Sequence, residues 1–486
     1  MKLIFDKSVK GRRGIRLNKK DEELAEFSIP ESLLREEDPE LSEVSEPDAV
    51  RHFTELSRKN FGVDTNFYPL GSCTMKYNVK LLEKIAAQRE FTDIHPVTAQ
   101  LKQGEKEVQG SLEIMYNLER MLCEICGMDE FTLQPMAGAH GELTGMMIIA
   151  AYHKNKGNHN KTEVLIPDEA HGTNPSSAFI AGFKTRSVPT DRESGMLDIN
   201  TLEEMVNENT AGIMLTNPNT LGIFNSGIRK VAEIIHRVDG LLYYDGANLN
   251  AIMGKFRPGD ADFDVIHLNL HKTFGTPHGG GGPGAGPVGV KSHLKEFLPV
   301  SRVKKNKDNT CSLDYKGDKS IGYISSFYGN HLVFLRAYAY ILLLGSDGLK
   351  DVSENAVLNA NYVYESLKDK FEFACNRSCM HECVISGSRQ KEFGVTANDI
   401  AKALIDRNIH PPTVYFPLIV KEALMTEPTE TENKETLDNF ISVLREIAQD
   451  SENNPEKVKS APVTTEVKRL DETLAARNMD VVYQNT

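Results

Sequence analysis

The sequence predicts an α/β protein, in which a large domain with a mostly parallel sheet precedes a smaller C-terminal α+β domain. From about residue 105, short apolar runs typical of buried strands alternate with segments of helical periodicity. This order of elements produces a parallel sheet with helices on both faces. After Asp351 the chain changes to charged amphipathic helices with short strand-like runs between them, which indicates a second, smaller domain.

The individual elements follow from apolar periodicity and from helix-ending residues. In the large domain we expect strands at 164–166, 213–216, 241–244 and 263–270, and helices at 108–125, 143–152, 202–206 and 231–238. Gly240 ends the last of these helices, because glycine is the usual residue just beyond a helix C-terminus. In the C-terminal domain we expect helices at 356–369 and 398–408, and strands at 371–374 and 384–385.

These elements divide the chain into three regions. Residues 1–100 form an N-terminal arm and leading helical segment, residues 101–345 the large domain, and residues 346–486 the small domain. The first 20 residues are basic and residues 21–49 are strongly acidic and contain three prolines. This charge pattern predicts an extended arm that lies over another surface. The polar tail from Asp450 onwards is expected to wrap the surface.

Composition excludes several classes of protein. With 486 residues, 40% of them hydrophobic, the chain is long enough for a substantial core. A net charge of −13 argues against a nucleic-acid binder. The most apolar stretch, Tyr338–Leu344, is shorter than the roughly 18 residues of a membrane helix, and the N-terminus lacks the apolar core of a signal peptide. We therefore expect a soluble, cytoplasmic protein without membrane contact.

The seven cysteines do not indicate a disulfide framework or a metal site. Cys123 and Cys126 form a single Cys-x-x-Cys pair inside a predicted helix, with no second pair at zinc-finger spacing. Cys375, Cys379 and Cys383 lie near a histidine, His381, and have the right atoms for a soft metal. These residues span the predicted change from a helix to a strand, so we interpret their closeness in the sequence as coincidence. No metal is predicted.

Lys272 is the first candidate for chemistry. It follows the predicted strand Phe263–Leu270 and His271, and precedes a glycine-rich tract that extends from Gly275 to Gly289. Burial disfavours the ammonium form of a lysine and leaves its lone pair free to attack a carbonyl carbon, which forms a Schiff base. Glycines allow the backbone to approach a flat ligand closely. The alternative is an ordinary lysine at the end of a strand.

Asp245 favours the first interpretation. It ends the apolar run Leu241–Tyr244 and is followed by small residues. Enzymes that use pyridoxal phosphate pair a Schiff-base lysine with an aspartate on the pyridinium nitrogen. In α/β sheets, ligands bind at the carboxyl ends of the strands, where both Asp245 and Lys272 are predicted to lie.

A third segment supplies a candidate phosphate site. Gln134–Glu142 is rich in small residues and precedes a predicted buried helix. Backbone N–H groups at a helix N-terminus bind anions, so this segment predicts a phosphate anchor; a plain glycine-containing loop is the alternative. The three glycines within Gly284–Gly289 match a dinucleotide-binding pattern, but no strand leads directly into them and no helix with a good first turn follows. We therefore interpret this match as a false positive.

Together these segments resemble the pyridoxal-phosphate subunit of two-subunit glycine decarboxylase, the P-protein of the glycine cleavage system. The resemblance is to subunit 2 and covers nearly the whole chain. The motifs that carry it are Tyr68–Asn78, Gln134–Glu142, Ala170–Pro175, Thr216–Thr220, Tyr244–Asn248, Asn269–Thr273, Pro411–Pro417 and Glu427–Glu430.

The resemblance implies a fold-type-I pyridoxal enzyme with the cofactor covalently bound to Lys272. Asp245 would pair with the pyridinium nitrogen, and His171 would stack on the ring, so that these three residues form the implied catalytic set. The implied cofactor-binding residues are Gly138, Ala139, His140, His171, Asn217, Asp245, Ala247, His271 and Lys272.

Three positions depart from the family pattern. Ala137 and His140 stand where serine and glutamine are common, so a hydroxyl contact to phosphate is lost. Ser325 stands where an arginine is expected, which puts an anion-binding role there in doubt.

The resemblance further implies that glycine is decarboxylated and that its aminomethyl group passes to the lipoyl group of a carrier, the H-protein. It implies a second subunit, glycine dehydrogenase subunit 1, and two copies of each subunit. Two alternatives stay open. One is another fold-type-I lyase, such as an aldolase or a desulfurase that uses Cys73 as nucleophile. The other is a partner subunit of the same fold that binds no cofactor covalently.

Overall fold

The computed structural model describes residues 2–15, 29–37, 39–278 and 284–482. The predicted acidic arm (16–28 and 38) and the glycine-rich tract (279–283) therefore lie partly outside the described residues, as do the first residue and the last four. The chain divides into two compact units, Met1–Gly62 and Val63–Thr486. The domain boundaries expected near residues 100 and 345 stay predictions.

The first unit contains one α-helix in its described part, α1 (Glu46–Ser57). The helix begins after Ser45, whose hydroxyl oxygen accepts a hydrogen bond from the backbone N–H of Asp48. Basic and acidic parts of this unit contact each other. Arg12 pairs with Asp48 at 3.1 Å, and the backbone N–H of Gly11 donates to the Glu43 carboxylate at 2.6 Å. These contacts connect the two oppositely charged segments.

The second unit begins with helices that lead into a large sheet. The helices are α2 (Lys80–Ala86), α3 (Arg89–Thr92), α4 (Gly104–Glu107), α5 (Gln109–Cys126), α6 (Gly138–Asn155), α7 (Thr173–Ile180), α8 (Ile199–Met205), α9 (Ile228–His236) and α10 (Leu270–Thr273). The helices predicted at 108–125, 143–152, 202–206 and 231–238 are confirmed as α5, α6, α8 and α9.

The large sheet contains the strands β1 (Glu130–Thr132), β2 (Glu163–Pro167), β3 (Lys184–Val188), β4 (Thr210–Thr216), β5 (Leu241–Gly246), β6 (Val265–Leu268) and β7 (Val288–Val290). Their order is β1-β7-β6-β5-β4-β2-β3. The five strands from β3 to β6 along this order are parallel, and β7 is antiparallel to both β6 and β1. The predicted, mostly parallel sheet is confirmed. A separate hairpin consists of β8 (Arg302–Lys305) and β9 (Cys311–Asp314).

Two details of this region differ from the sequence prediction. The strand expected to extend to residue 270 ends at Leu268, and Leu270 already belongs to the one-turn helix α10. The apolar pattern continues across this junction, so periodicity alone places the boundary too late. The glycine-rich match at 284–289 leads into strand β7 and not into a helix, which confirms that it is no dinucleotide motif.

A long helical element, α11 (His331–Leu367), contributes to both major cores. Gly345 has a left-handed φ of 63° and interrupts the helix there. Phe334 and Ile341 pack in the core of the large sheet, whereas Val363 and Leu367 pack in the C-terminal core. Among the described residues, α11 is long and apolar enough to cross a membrane by length and composition alone. Its break and its packing identify it as a core element.

The C-terminal region is α+β, as predicted. A four-stranded antiparallel sheet has the order β10-β11-β13-β12, with β10 (Glu372–Phe373), β11 (Cys383–Ser386), β12 (Thr413–Val414) and β13 (Ala423–Thr426). The accompanying helices are α12 (Ser388–Lys391), α13 (Ala397–Ile405), α14 (Lys434–Asn453), α15 (Pro455–Lys459) and α16 (Glu472–Arg477).

The expected surface tail begins later than predicted. Residue 450 lies inside α14, and Val458 and Ala461 are buried in the C-terminal core. Their apolar side chains are isolated in a polar stretch, so the sequence pattern hides their packing. The exposed tail therefore begins after Pro462, which is also buried.

Candidate active site

A cavity of about 240 Å³ lies at the carboxyl ends of the central parallel strands. Thr216 ends β4, Asp245 is near the end of β5, and Lys272 follows β6. This is the position where open α/β sheets bind ligands. The cavity is lined by Ser72, Gly138, Ala139, Glu142, His171, Thr173, Thr216, Pro218, Thr220, Asp245, Ala247, Asn248, Asn269, His271, Lys272, His381 and Glu382.

Lys272 lies on the one-turn helix α10, not at the end of a strand. Two buried neighbours, Leu270 and Thr273, anchor this turn. The hydroxyl oxygen of Thr273 accepts a hydrogen bond from the backbone N–H of Leu249 at 2.8 Å, and its carbonyl oxygen accepts one from the Lys76 ammonium at 2.8 Å. The backbone that carries Lys272 is therefore fixed on both sides, while its side chain lines the cavity.

Asp245 is buried and belongs to a polar chain that extends into the core. Its Oδ1 accepts a hydrogen bond from the backbone N–H of Ala247 at 3.0 Å and lies 3.4 Å from Nε2 of His267. The other ring nitrogen of His267 lies 2.7 Å from the hydroxyl of Tyr243. Burial lowers the pKa of His267, although the Asp245 carboxylate opposes this shift. Nε2 of His267 makes no hydrogen bond within the described residues, so its approach to Asp245 is a close contact, whereas Nδ1 is hydrogen-bonded to Tyr243.

His171 faces the cavity and is connected to a buried carboxylate. The Thr173 hydroxyl lies 2.9 Å from Nδ1 of His171 and donates to Oε1 of Glu142 at 2.8 Å. Burial, followed by the nearby Asp245 charge, raises the pKa of Glu142 to about 7. Burial also lowers the pKa of His171. Glu142 was not predicted as a site residue, although it ends a segment that was singled out.

Gly138 and Ala139 form the first turn of α6, so the predicted anion-binding loop is the helix N-terminus itself. A Cβ on Gly138 would lie 2.6 Å from the side-chain amide of Asn269, so only glycine fits there without displacement. Oδ1 of Asn269 is buried and has no hydrogen-bond partner among the described residues. This arrangement leaves backbone N–H groups and one amide available to a ligand.

The structure brings most of the predicted site residues together and leaves two apart. Ala247 and His271 line the cavity with the five residues described above. The side chain of Asn217 instead binds the backbone of Asn225 through both its oxygen and its nitrogen. His140 accepts a hydrogen bond from the backbone N–H of Met136. Neither Asn217 nor His140 belongs to the cavity lining.

Two further cavity residues, His381 and Glu382, were not predicted as site residues. Ser72 also lines the cavity and lies in the motif Tyr68–Asn78, near which the sequence suggested a channel to the cofactor. Glu382 comes from the C-terminal region, and its Oε2 accepts a hydrogen bond from the backbone N–H of Ser72 at 3.1 Å. No local sequence pattern predicts such a contact, because Ser72 and Glu382 are far apart in the chain.

All seven cysteines are free. Burial raises the pKa of Cys123 to about 12 and also raises that of Cys126. In the described part of the chain, two clusters of histidine and carboxylate side chains are compact enough to hold a cation. They are Glu142 with Asp245 and His267, and His381 with Glu382 and Glu427, so neither contains a cysteine.

The sheet order and the lysine–aspartate cavity define the class: a fold-type-I pyridoxal-phosphate enzyme. The structure matches a glycine decarboxylase (P-protein) of the glycine cleavage system in inhibitor-bound form, with a TM-score of 0.68 and 18% identity over 88% of this chain and 93% of that one. It also matches a glutamate decarboxylase from Lactobacillus brevis, with a TM-score of 0.63 and 15% identity over 87% and 96%.

The sequence comparisons are more specific. Residues 352–471 match a family described as "Glycine dehydrogenase, C-terminal domain". The chain is 55% identical to a probable glycine dehydrogenase (decarboxylating) subunit 2 of Caldanaerobacter subterraneus subsp. tengcongensis, over 98% of this chain and 97% of that one. It is 54% identical to the protein of the same description from Thermotoga maritima, over 98% of both chains. The chain belongs to the glycine dehydrogenase (decarboxylating) subunit 2 family.

The residues of the cavity fit pyridoxal phosphate. They offer an amine on Lys272 and a buried carboxylate on Asp245. The first turn of α6 offers a helix N-terminus whose glycine approaches Asn269 too closely for a side chain. These are the three chemical requirements of the cofactor: Schiff-base formation, a partner for the ring nitrogen, and an anion site for the phosphate.

Proposed function

We propose that this chain decarboxylates glycine with pyridoxal phosphate held on Lys272 and passes the aminomethyl group to the lipoyl disulfide of a carrier, the H-protein. The observation that carries the proposal is the meeting of Lys272 and Asp245 in one cavity of a chain 55% identical to glycine dehydrogenase subunit 2 proteins. The bound cofactor supplies an electron sink for the bond to the departing carboxylate.

The protein's own residues hold and orient the reacting groups. Asp245, whose carboxylate is held by the backbone N–H of Ala247, keeps a proton on the ring nitrogen that pairs with it. His171 covers one side of the cavity and is held by Thr173. The backbone at Gly138 and Ala139 binds the phosphate. The proposal also includes cofactor binding by the other residues that the sequence predicted for this role, Asn217 and His140 among them.

The partners follow from the same family assignment. We expect a complex with glycine dehydrogenase subunit 1, with two copies of each subunit, and transient binding of the lipoylated H-protein in the cytoplasm. The alternative of a desulfurase finds no support in the cavity. Cys73 does not line it, and burial raises the pKa of the Cys73 thiol, which disfavours the thiolate that such an enzyme needs.

The first experiment tests the attachment site. The purified chain is incubated with pyridoxal phosphate and subunit 1, reduced with borohydride, digested and analysed by mass spectrometry. We expect a pyridoxyl adduct on Lys272, and none on that peptide in Lys272→Ala. Lys161→Ala removes a partly buried lysine outside the cavity and should keep the adduct. An unmodified Lys272 in the wild type would refute the proposal and favour a non-catalytic subunit.

A second experiment tests Asp245. Asp245→Ala should still form the adduct on Lys272 but lose most glycine-dependent CO₂ release, because the ring nitrogen loses its counter-charge. Asp264→Asn is the matched control, since Asp264 is a buried carboxylate of the same sheet that does not line the cavity. A near-normal rate in Asp245→Ala would contradict the assigned role.

A further inference from the structure

A buried acidic cluster lies on the C-terminal side of the cavity and has no role in the function proposed above. It consists of Glu382, Glu427 and His381, whose polar atoms all lie within 4.8 Å of one another. Sheet register explains the meeting of the two carboxylates. Cys383 on β11 pairs with Thr426 on β13, so Glu382 and Glu427 extend from the same end of the two strands.

Within the part of the chain that the structure describes, each carboxylate accepts hydrogen bonds from neutral donors only. Glu427 accepts from the backbone N–H and hydroxyl of Thr74 and, at 2.8 Å, from the side-chain amide of Asn248. Glu382 accepts from the backbone N–H of Ser72. Two adjacent carboxylates that are fully buried and receive no hydrogen bond from a cation cannot both be ionised, so the pair retains a proton.

Glu382 itself lines the cavity, next to His381. The His381 side chain is buried, and its Nε2 lies 3.9 Å from Oε1 of Glu382, which is beyond hydrogen-bond distance. Neither of its ring nitrogens has a hydrogen-bond partner among the described residues. Burial lowers its pKa to about 3, with a smaller contribution from the charges of Lys272 and Lys76. The neutral imidazole therefore keeps one donor and one acceptor for a group bound in the cavity.

The reaction proposed above needs a proton. Glycine enters as a zwitterion, and CO₂ leaves without taking a proton. The remaining carbon then forms a bond to one sulfur of the lipoyl disulfide. The S–S bond breaks, and its electron pair goes to the second sulfur, which must be protonated to become a thiol. Glycine, disulfide and one proton thus balance CO₂, one thiol and one S–CH₂–NH₃⁺ group.

We infer that the Glu382–Glu427 pair holds this proton and that Glu382, which lines the cavity beside His381, delivers it to the departing lipoyl sulfur. The inference rests on the proposed function, because it assigns the acid of that reaction. Burial raises the pKa of Glu427 to about 7 and that of Glu382 as well, so the pair is protonated near neutral pH. Lys272 and Lys76 oppose the shift, and the nearby thiols of Cys73 and Cys379 are the other titratable groups that face the pair.

The test uses the holoenzyme with subunit 1 and lipoylated carrier in single-turnover reactions, with carrier modification followed by mass spectrometry. Glu382→Gln and Glu427→Gln keep the shape but remove the acidic proton. General acid catalysis contributes about 10²–10⁴-fold, so we expect transfer at least about 100-fold slower. The cofactor absorbance and the adduct on Lys272 should not change. Glu119→Gln, a buried carboxylate outside the cavity, is the control.

Chemical rescue separates proton donation from a structural role. In Glu382→Ala, added formic or acetic acid should restore transfer in proportion to the protonated acid, and the same acids should not accelerate the wild type. In the wild type the transfer rate should fall as the pH rises and the pair loses its proton, whereas the glutamine variants should lack this decline.

Two results would overturn the inference while the proposed function stands. One is transfer within about threefold of wild type in both glutamine variants, or no rescue of the alanine variant. The other is a stoichiometric metal ion in the wild-type holoenzyme that is lost in Glu382→Gln, which would identify a cation site. If Glu427→Gln fails to load cofactor, the chemical rescue of Glu382→Ala decides whether the inference stands. Absence of the Lys272 adduct in the wild type refutes the proposed function itself.

Discussion

Replacement of Lys76 by methionine should destabilise the protein strongly. Its ammonium group is completely buried and donates to the Glu430 carboxylate at 2.6 Å, to Oδ1 of Asn250 at 2.6 Å and to the carbonyl oxygen of Thr273 at 2.8 Å. Burial by itself lowers the pKa of Lys76, but the Glu430 carboxylate outweighs this effect and the pKa is raised. Lys76 therefore carries its charge in the core.

The magnitude follows from what the substitution leaves behind. Methionine retains the apolar contacts of the side chain, but Glu430 then keeps only neutral donors from this network, the Asn250 amide at 3.0 Å and the Tyr340 hydroxyl at 3.5 Å. Removal of one partner from a buried ion pair costs about 3–5 kcal/mol. The side chains of Lys76 and Glu430 are only 1% and 9% exposed, so solvent screens the pair little. We expect a loss of about 3–5 kcal/mol in the free energy of unfolding.

The assay is urea unfolding followed by far-UV circular dichroism, since the chain contains no tryptophan. A double-mutant cycle of Lys76→Met and Glu430→Gln should show a double variant that loses less stability than the sum of the single variants. The control is Lys156→Met. Lys156 pairs with Asp239 at 2.8 Å, but both side chains are more than 40% exposed, so the loss should stay below about 1 kcal/mol. Equal losses in Lys76→Met and Lys156→Met would refute the reasoning.

Three smaller effects are expected. Gly286→Ala would place a Cβ 2.1 Å from the carbonyl oxygen of Ala137, which should cost about 1–3 kcal/mol in thermal unfolding experiments. Thr173→Val should weaken cofactor binding about tenfold in an absorbance titration, because it removes the hydroxyl that joins His171 to Glu142. Thr173→Ser keeps this hydroxyl and should retain binding. The hydrogen bond to Asp264 raises the pKa of His236. This hydrogen bond therefore stabilises the protein fully below about pH 6.5, and the stabilisation is lost as the pH rises through the raised pKa of His236. The wild type should melt at a higher temperature than His236→Gln at low pH, and this difference should be smaller by about pH 8.

The sequence was sufficient to predict the parallel part of the sheet and the meeting of Asp245 and Lys272 in one cavity. Asp245 and Lys272 both follow apolar runs long enough to be recognised as buried strands, and a parallel sheet brings the carboxyl ends of its strands to one edge. The short strands β1 and β7 have three residues each, too few to show a period of two. The antiparallel strand beside β6 could therefore not be predicted from the sequence pattern.

The C-terminal side of the cavity could not be predicted for a different reason. Glu382 and Glu427 meet because β11 and β13 pair in one particular register, and register is a property of the folded sheet. His381 attracted notice only as a neighbour of three cysteines, and those cysteines are buried thiols that do not line the cavity. The local cysteine pattern thus drew attention to this segment, but the residue of the pattern that lines the cavity is the histidine.

The segment after β13 connects stability and reactivity in this protein. Glu427 belongs to the acidic cluster, while Glu430 holds Lys76, which in turn holds the backbone beside Lys272. A change at Glu430 should therefore lower both stability and cofactor content, because the turn that carries the lysine loses its support. Among the described residues, the Glu382 side chain accepts a hydrogen bond from Ser72 and none from the turn that carries Lys272, so a change at Glu382 should slow transfer without loosening that turn. Activity lost at Glu382 with normal cofactor content thus reports on chemistry, whereas activity lost at Glu430 reports on the position of Lys272.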